Sequence, residues 1–325
     1  VREISYTNPV YPEYFADPFV WKFEGTYYAI GTGADEANGH VHERVFPLLK
    51  SPDLVHWEAA GRALERLPKL FGDTYWAPEI AFEGGKFYLY YSVGHADKEH
   101  QLRVAVSDTP SGPYRDAAGP LIDPQECPFA IDAHPFRDDN GQWYLFYARD
   151  FLALDGGRAG TALAVSRLGT MTRLAPEWRT VLRAKFDWQR FLADRPMYGG
   201  TYDWHTLEGP FVCKHNGKYY CLYSGGRWET ETYGVDFAVG DAPMGPYRDT
   251  GIATGARVIC TAPGRAIGPG HNSVVLGPDG KTDFMVYHAW DPDMKARRLC
   301  IDPLEWTTEG PRCHGPTTTT QKILF

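Results

Sequence analysis

The stretch EGPFVCKHNGKYYCLYSGG, residues 208–226, holds an apolar run, a turn at His215-Asn216-Gly217 and a second run rich in tyrosine. Asn-Gly between two such runs is a strong short-range hairpin signal. Four other stretches repeat the second half: GTYYAIGTG from Gly25, GKFYLYYSVG from Gly85, GQWYLFYARD from Gly141 and GKTDFMVYHAW from Gly280. The segments before them also match: ADPFVWKFE, APEIAFEGG, DAHPFRDDN and GHNSVVLGPD. Copies lie about 56 to 76 residues apart, so the repeating unit is supersecondary. A third echo follows the hairpins in SPDLVHWEAAG from Ser51, SDTPSGPYRDAAG from Ser107 and GDAPMGPYRDTG from Gly240. It reads as a Gly/Pro turn into an outer strand carrying one anchoring aromatic.

Five units of about four strands each predict an all-β fold, a five-bladed β-propeller closed by radial repetition. No linker or composition shift divides the chain into two β-sandwiches, so residues 1–325 are expected to form a single propeller domain. Helical periodicity is confined to two short candidates, residues 45–50 and 186–193. Units longer than a minimal blade put their surplus into loops, such as residues 183–206.

The chain has 325 residues, 43% of them hydrophobic, and a formal net charge of -8. That is enough apolar residue for a sizeable core. An acidic chain without a basic run is a poor partner for nucleic acid or an anionic membrane. Aromatics at 14% suit sugar faces but equally suit a β-core. Six cysteines without a CxxC motif read as small buried apolar residues, with Cys213 and Cys221 placed to face each other across a hairpin. No apolar run is long enough to span a bilayer. The first ten residues hold no signal-peptide core, which leaves the compartment open.

In a propeller the first strand of each blade lines the axis. Its entry position, taken from each repeat, holds Asp17, Glu79, Asp132, Glu208 and His271. Clustered carboxylates repel and shift one another's pKa, which marks a functional site. Separated carboxylates are what glycoside hydrolysis needs: a protonated acid at the leaving oxygen and an ionised base or nucleophile. Other signals carry less. His40 and His42 lie in a polar loop, His95 and His100 lack metal-ligand spacing, and RDDNGQ from Arg137 is too short for a calcium loop. Nucleotide-binding glycine patterns are missing.

The motifs FADPFVW, WAPEI, IDAHPF, LEGPF and GPGHNS, in this order from Phe15 onward, resemble glycoside hydrolase family 43. The resemblance spans residues 6 to about 306. It implies a five-bladed propeller and an inverting mechanism. By motif, Asp17 resembles the general base, Asp132 the carboxylate that orients the acid and raises its pKa, and Glu208 the general acid. Trp76 resembles a residue walling the sugar pocket, and Glu79 is read as holding the strand end or an arginine and not as a catalyst. His271 resembles a histidine that contacts a calcium or sodium ion on the axis, with water filling most of the ion's shell. Arg297 and Arg298 resemble the sugar-binding arginine position. Strand neighbours face opposite ways, and Arg297 is the one expected inward. His134 is a further candidate for the sugar, or a brace for the Asp132 turn. No organic cofactor is implied.

The resemblance implies an exo-acting hydrolase of xylo- and arabino-oligosaccharides, a β-1,4-xylosidase or α-L-arabinofuranosidase. An endo-α-1,5-L-arabinanase and a non-catalytic sugar-binding propeller are the alternatives. Some related β-xylosidases carry a C-terminal β-sandwich. With the sequence ending at Phe325, no such sandwich or carbohydrate-binding module is expected. The oligomeric state is left open.

Overall fold

The computed structural model describes residues 3–34, 42–155 and 157–325. His40 therefore lies outside the described residues, and His42 is exposed. Almost all of the regular structure is strand, arranged in five blades. Blade 1 is Ala16–Phe23, Thr26–Thr32, Arg44–Ser51 and Glu58–Glu65, and blade 2 is Thr74–Glu83, Lys86–His95, Lys98–Ser107 and Arg115–Ala118. Blade 3 is Ala130–Arg137, Trp143–Phe151, Gly160–Thr170 and Arg173–Leu182. Blade 4 is Gly200–His215, Lys218–Gly225, Gly234–Gly240 and Tyr247–Asp249, and blade 5 is Ile267–Leu276, Asp283–Trp290, Arg297–Thr307 and Gly310–Cys313. Each blade pairs in sequence order, first strand to outer strand. Blades 3 and 4 share one sheet through a short parallel pairing of Gly160 with His205 and Thr161 with Thr206.

The inner hairpins form where the turn residues accept positive φ. Glu24-Gly25, Gly84-Gly85 and Asn216-Gly217 have φ of 46° and 82°, 57° and 77°, and 48° and 73°. Two consecutive residues in that region make the turn whose twist suits a hairpin. The third echo is also explained. The Trp57 indole N–H, the Tyr114 hydroxyl and the Tyr247 hydroxyl donate to the carbonyls of Leu54, Pro110 and Pro243 at 2.7, 3.0 and 3.1 Å, clipping each turn to its outer strand.

The core is five apolar clusters, one between each pair of adjacent blades. Strands are thus buried on both faces, and their apolar residues run continuously instead of alternating. This corrects the first helical expectation. Residues 45–50 are the third strand of blade 1, with Val45, Phe46 and Leu48 packed towards blade 2 and Leu49 towards blade 5. A short apolar run buried on both faces cannot be told from a helix by periodicity. Residues 186–193 hold only a 3-10 turn, Asp187–Gln189, before the strand Arg190–Met197. The high aromatic content serves these interfaces: Tyr27, Tyr90, Tyr147, Tyr223 and Tyr287 are buried between blades. All six cysteines are free. Cys221 pairs in register with Val212, one residue away from Cys213.

The ring closes without a covalent link. Glu3–Tyr6 pairs with Gln321–Leu324. The Asn8 side-chain amide then completes blade 5's third strand, donating to the Ile301 carbonyl at 2.8 Å and accepting the Ile301 N–H at 2.9 Å.

Candidate active site

The first strand of every blade carries a bulge at its axial entry. The register slips between Ala16 and Phe19, Trp76 and Glu79, Ile131 and His134, Glu208 and Phe211, and Gly270 and Ser273. The bulged residues are Asp17, Ala77, Asp132, Gly209 and His271, all with φ between 46° and 59°. Non-glycine residues in this region are strained by about 1 to 3 kcal/mol each, and such strain collects at functional sites. The equivalence drawn from the sequence is corrected here. Asp17, Asp132 and His271 are equivalent. Glu208 stands one residue earlier, matching Trp76, and Glu79 two later, matching His134. A one- or two-residue offset is invisible in sequence because the bulges break the period-2 pattern used to align the repeats.

The residues paired with the pre-bulge positions are Thr32, Ser92, Ala148, Ser224 and His288. Three of them accept a bulge amide from the next blade. Ala77 N–H donates to Thr32 Oγ1 at 2.9 Å, His271 N–H to Ser224 Oγ at 2.7 Å and Asp17 N–H to His288 Nδ1 at 3.0 Å. Ala148 has no side-chain acceptor, and the Gly209 N–H donates instead to Asp132 Oδ2 at 2.9 Å. The Asp132 carboxylate is thereby fixed beside the Glu208–Gly209 peptide.

Asp17 is buried, which favours its neutral form, but its neighbours outweigh burial and hold its pKa well below the usual range. Arg297 Nη1 donates to Asp17 Oδ1 at 3.2 Å, with His271 Nδ1 and His288 Nδ1 each 3.4 Å from the same oxygen. Arg297 is held in turn by the Tyr14 hydroxyl, at 2.7 Å from Nη2, and lies over the Trp228 ring at 4.3 Å. His288 uses Nδ1 as acceptor, so its proton sits on Nε2. Burial pushes His288 down to about 4, and it is neutral at ordinary pH.

Glu208 has the opposite character. Burial raises it to about 7, the Tyr233 hydroxyl opposes that rise, and the charge of Asp17 adds to it. Asp132 is pushed well above the carboxylate range by burial, then by Glu208 and Asp17. Asp132 was expected to raise Glu208; burial is the larger influence on both, and Asp132 is itself raised. Below about pH 7 the negative charge is concentrated on Asp17. Two carboxyls with pKa values pushed apart supply a base and an acid.

The remaining candidates separate. Trp76 stands at a pre-bulge position, half-buried and stacked on His100 at 3.6 Å. His100, set aside in the sequence, is the plate behind that ring. His134 is not presented to a sugar. Its Nε2 accepts the Val212 N–H at 3.0 Å, so Nδ1 donates to Glu79 Oε2 at 2.7 Å. The pair braces blades 2, 3 and 4. Arg298 is not brought to the site either: it points across the strand to Asp291 at 3.1 Å, as strand alternation requires. Tyr14, Tyr233 and His288 escaped the sequence reading. His288 alone had a signal, as the pre-bulge partner in GKTDFMVYHAW.

The expected calcium or sodium ion was tested on the donor set. His271 turns Nδ1 towards Asp17, 3.4 Å away, and towards Asp132, 3.9 Å away. Among the described residues there is no group of three or more His, Cys, Asp or Glu suited to hold a metal. A hard cation prefers oxygen ligands, and one imidazole does not build a cage for it. The donors do not fit a protein-built cation site.

The model of the family "Glycosyl hydrolases family 43" matches residues 6–311. The chain belongs to this family. It is similar to a β-D-galactofuranosidase of Aspergillus niger, 29% identical over 93% of this chain and 83% of the relative. It is also 30% identical to an extracellular exo-α-(1→5)-L-arabinofuranosidase of Cellvibrio japonicus, over 90% of this chain and 84% of the relative. A thermostable family-43 glycoside hydrolase superposes with a TM-score of 0.80 at 32% identity, covering 97% of this chain and 98% of that one. The protein is a glycoside hydrolase with a carbohydrate substrate. None of its described helices is long and apolar enough to cross a membrane.

Proposed function

We propose that this family 43 enzyme is an inverting, exo-acting hydrolase that releases terminal pentoses, α-L-arabinofuranosyl or β-D-xylosyl, from oligosaccharides. The observation that carries the reading is the division of charge between blade 1 and blade 4. Asp17, ionised beside Arg297, takes a proton from the attacking water. Glu208, protonated up to about pH 7, gives its proton to the leaving oxygen. One proton enters the protein and one leaves it, and the carboxyls reset by exchange with solvent. A water must fit between base and acid, which asks for about 6.5 to 9.5 Å. Asp132, tied to the Gly209 amide, orients the Glu208 peptide.

The exo mode is favoured by a hairpin above blade 4. Arg190–Met197 turns through Tyr198-Gly199 into Gly200–His215, extending the strand that carries Glu208. The Tyr198 hydroxyl donates to Asp150 Oδ2 of blade 3 at 2.7 Å, and Arg195 approaches Asp97 of blade 2 at 3.5 Å. A strap spanning three blades walls one side of the axial mouth, and a walled mouth accepts a chain end. Relatives named for arabinofuranoside and galactofuranoside hydrolysis support a furanose in the pocket. The two sugars share their ring configuration and differ in the exocyclic carbons.

The test is hydrolysis of p-nitrophenyl α-L-arabinofuranoside, β-D-xyloside and β-D-galactofuranoside, and of arabino- and xylo-oligosaccharides, with Glu208→Ala as control. Monomer release from a pentosyl oligosaccharide, lost in the variant, is the expected result. Pentosides that bind but are not cleaved by the wild type would leave a sugar-binding propeller.

A further inference from the structure

Tyr233 lies just before the third strand of blade 4, outside every motif described above. Its hydroxyl donates to Glu208 Oε1 at 2.6 Å. Its ring is buried and lies parallel to His288, at 6.0 Å and 6°, the histidine that accepts the Asp17 N–H. The phenol thus touches the acid while its ring packs on the residue that fixes the base.

The ring reaches this place because of Gly270. That residue holds the pre-bulge position of blade 5, filled by Ala16, Trp76, Ile131 and Glu208 in the other blades. A Cβ there would come 2.2 Å from Tyr233 Cε1, so any side chain would expel the tyrosine.

The direction of the hydrogen bonds follows from the donors present. The phenol has one proton, and its hydroxyl donates it to Glu208 Oε1. A protonated carboxyl that accepts on Oε1 carries its proton on Oε2.

We infer that Tyr233 is a positioning residue for the acid: it makes Oε2 the proton-donating oxygen of Glu208 and stabilises the carboxylate left after transfer. The inference rests on the reading of Glu208 as the general acid. Two consequences separate the role from packing. The bond stabilises the charged form of Glu208, so removing it raises the pKa of the acid and moves the alkaline limb of activity upward. The loss falls on substrates whose leaving group needs a proton. A p-nitrophenolate leaves with little help.

The experiment is the pH profile of kcat/KM for Tyr233→Phe and wild type, on an arabino- or xylo-oligosaccharide and on the matching p-nitrophenyl pentoside, with Glu208→Gln in parallel. Phenylalanine keeps the ring and its packing, and melting curves check the fold. The expected result is a loss of about 10- to 100-fold on the oligosaccharide. A much smaller loss is expected on the p-nitrophenyl substrate, and the alkaline limb on the oligosaccharide is expected to shift up by about one unit. Equal losses on both substrates with an unmoved limb would overturn the role of Tyr233 while leaving the acid in place. A Glu208→Gln enzyme with the wild-type limb would overturn the acid itself, and the inference with it.

Discussion

At the scale of the residue, Glu208 works against the stability of its own fold. Its pKa rises from 4.5 to about 7 on folding. The cost is absent below the unfolded value, grows as the pH rises between the two, and is complete above the folded one. It amounts to about 3 kcal/mol. Glutamine keeps an acceptor for Tyr233 and cannot ionise. Glu208→Gln should therefore melt several degrees above wild type at pH 8 and close to it at pH 5, as read by calorimetry at both pH values; the same difference at both would refute the burial argument. Asp17, with its pKa lowered, has the opposite sign. Its contribution is present above the unfolded value and is lost as the pH falls through the folded one.

The acids were legible because each is bound to a turn motif that repeats. Strand alternation let only one of Arg297 and Arg298 face inward, and the Arg-x-Leu spacing of the family resemblance picked Arg297. Tyr233 and His134 were not legible in their roles. One lies in a loop that does not repeat, and the other is used on both ring nitrogens by neighbouring blades, which no local pattern records.

At the scale of the element, the inner strands followed the sequence and the insertion did not. The strand that carries Glu208 runs on into the hairpin of Arg190–Met197 and Gly200–His215, where the sequence suggested a loop and a short helix. Its stability comes from outside: Tyr198 on Asp150, and Arg195 over the rings of Phe191 and Trp204 at 4.9 and 5.6 Å. Tertiary contacts of this kind override local propensity. Replacing residues 192–202 with a Gly-Ser link should open the mouth on the side of blades 2 and 3. Products from linear arabinan or xylan, resolved by chromatography, should then change from monomer alone to mixed oligomers. Unchanged monomer release would show that the hairpin does not set the mode of attack.

At the scale of the whole molecule, the propeller lets five weakly related hairpins act together. Blade count and strand direction came from the repeat. Ring closure did not, because Asn8 and the strand Glu3–Tyr6 have no counterpart in the other units. Each blade adds one bulge at the axis, strained in every blade but the fourth, where it falls on Gly209, and the five bulges bring three carboxylates and a histidine together. On the proposed reading, an ionised Asp17 on blade 1 is the base and a protonated Glu208 on blade 4 is the acid. The most direct test is a proton NMR time course on a p-nitrophenyl pentoside, read before mutarotation. Inversion predicts that the first-formed sugar has the anomeric configuration opposite to the substrate. A first product with the configuration retained would contradict the role of Asp17 as a base acting on water.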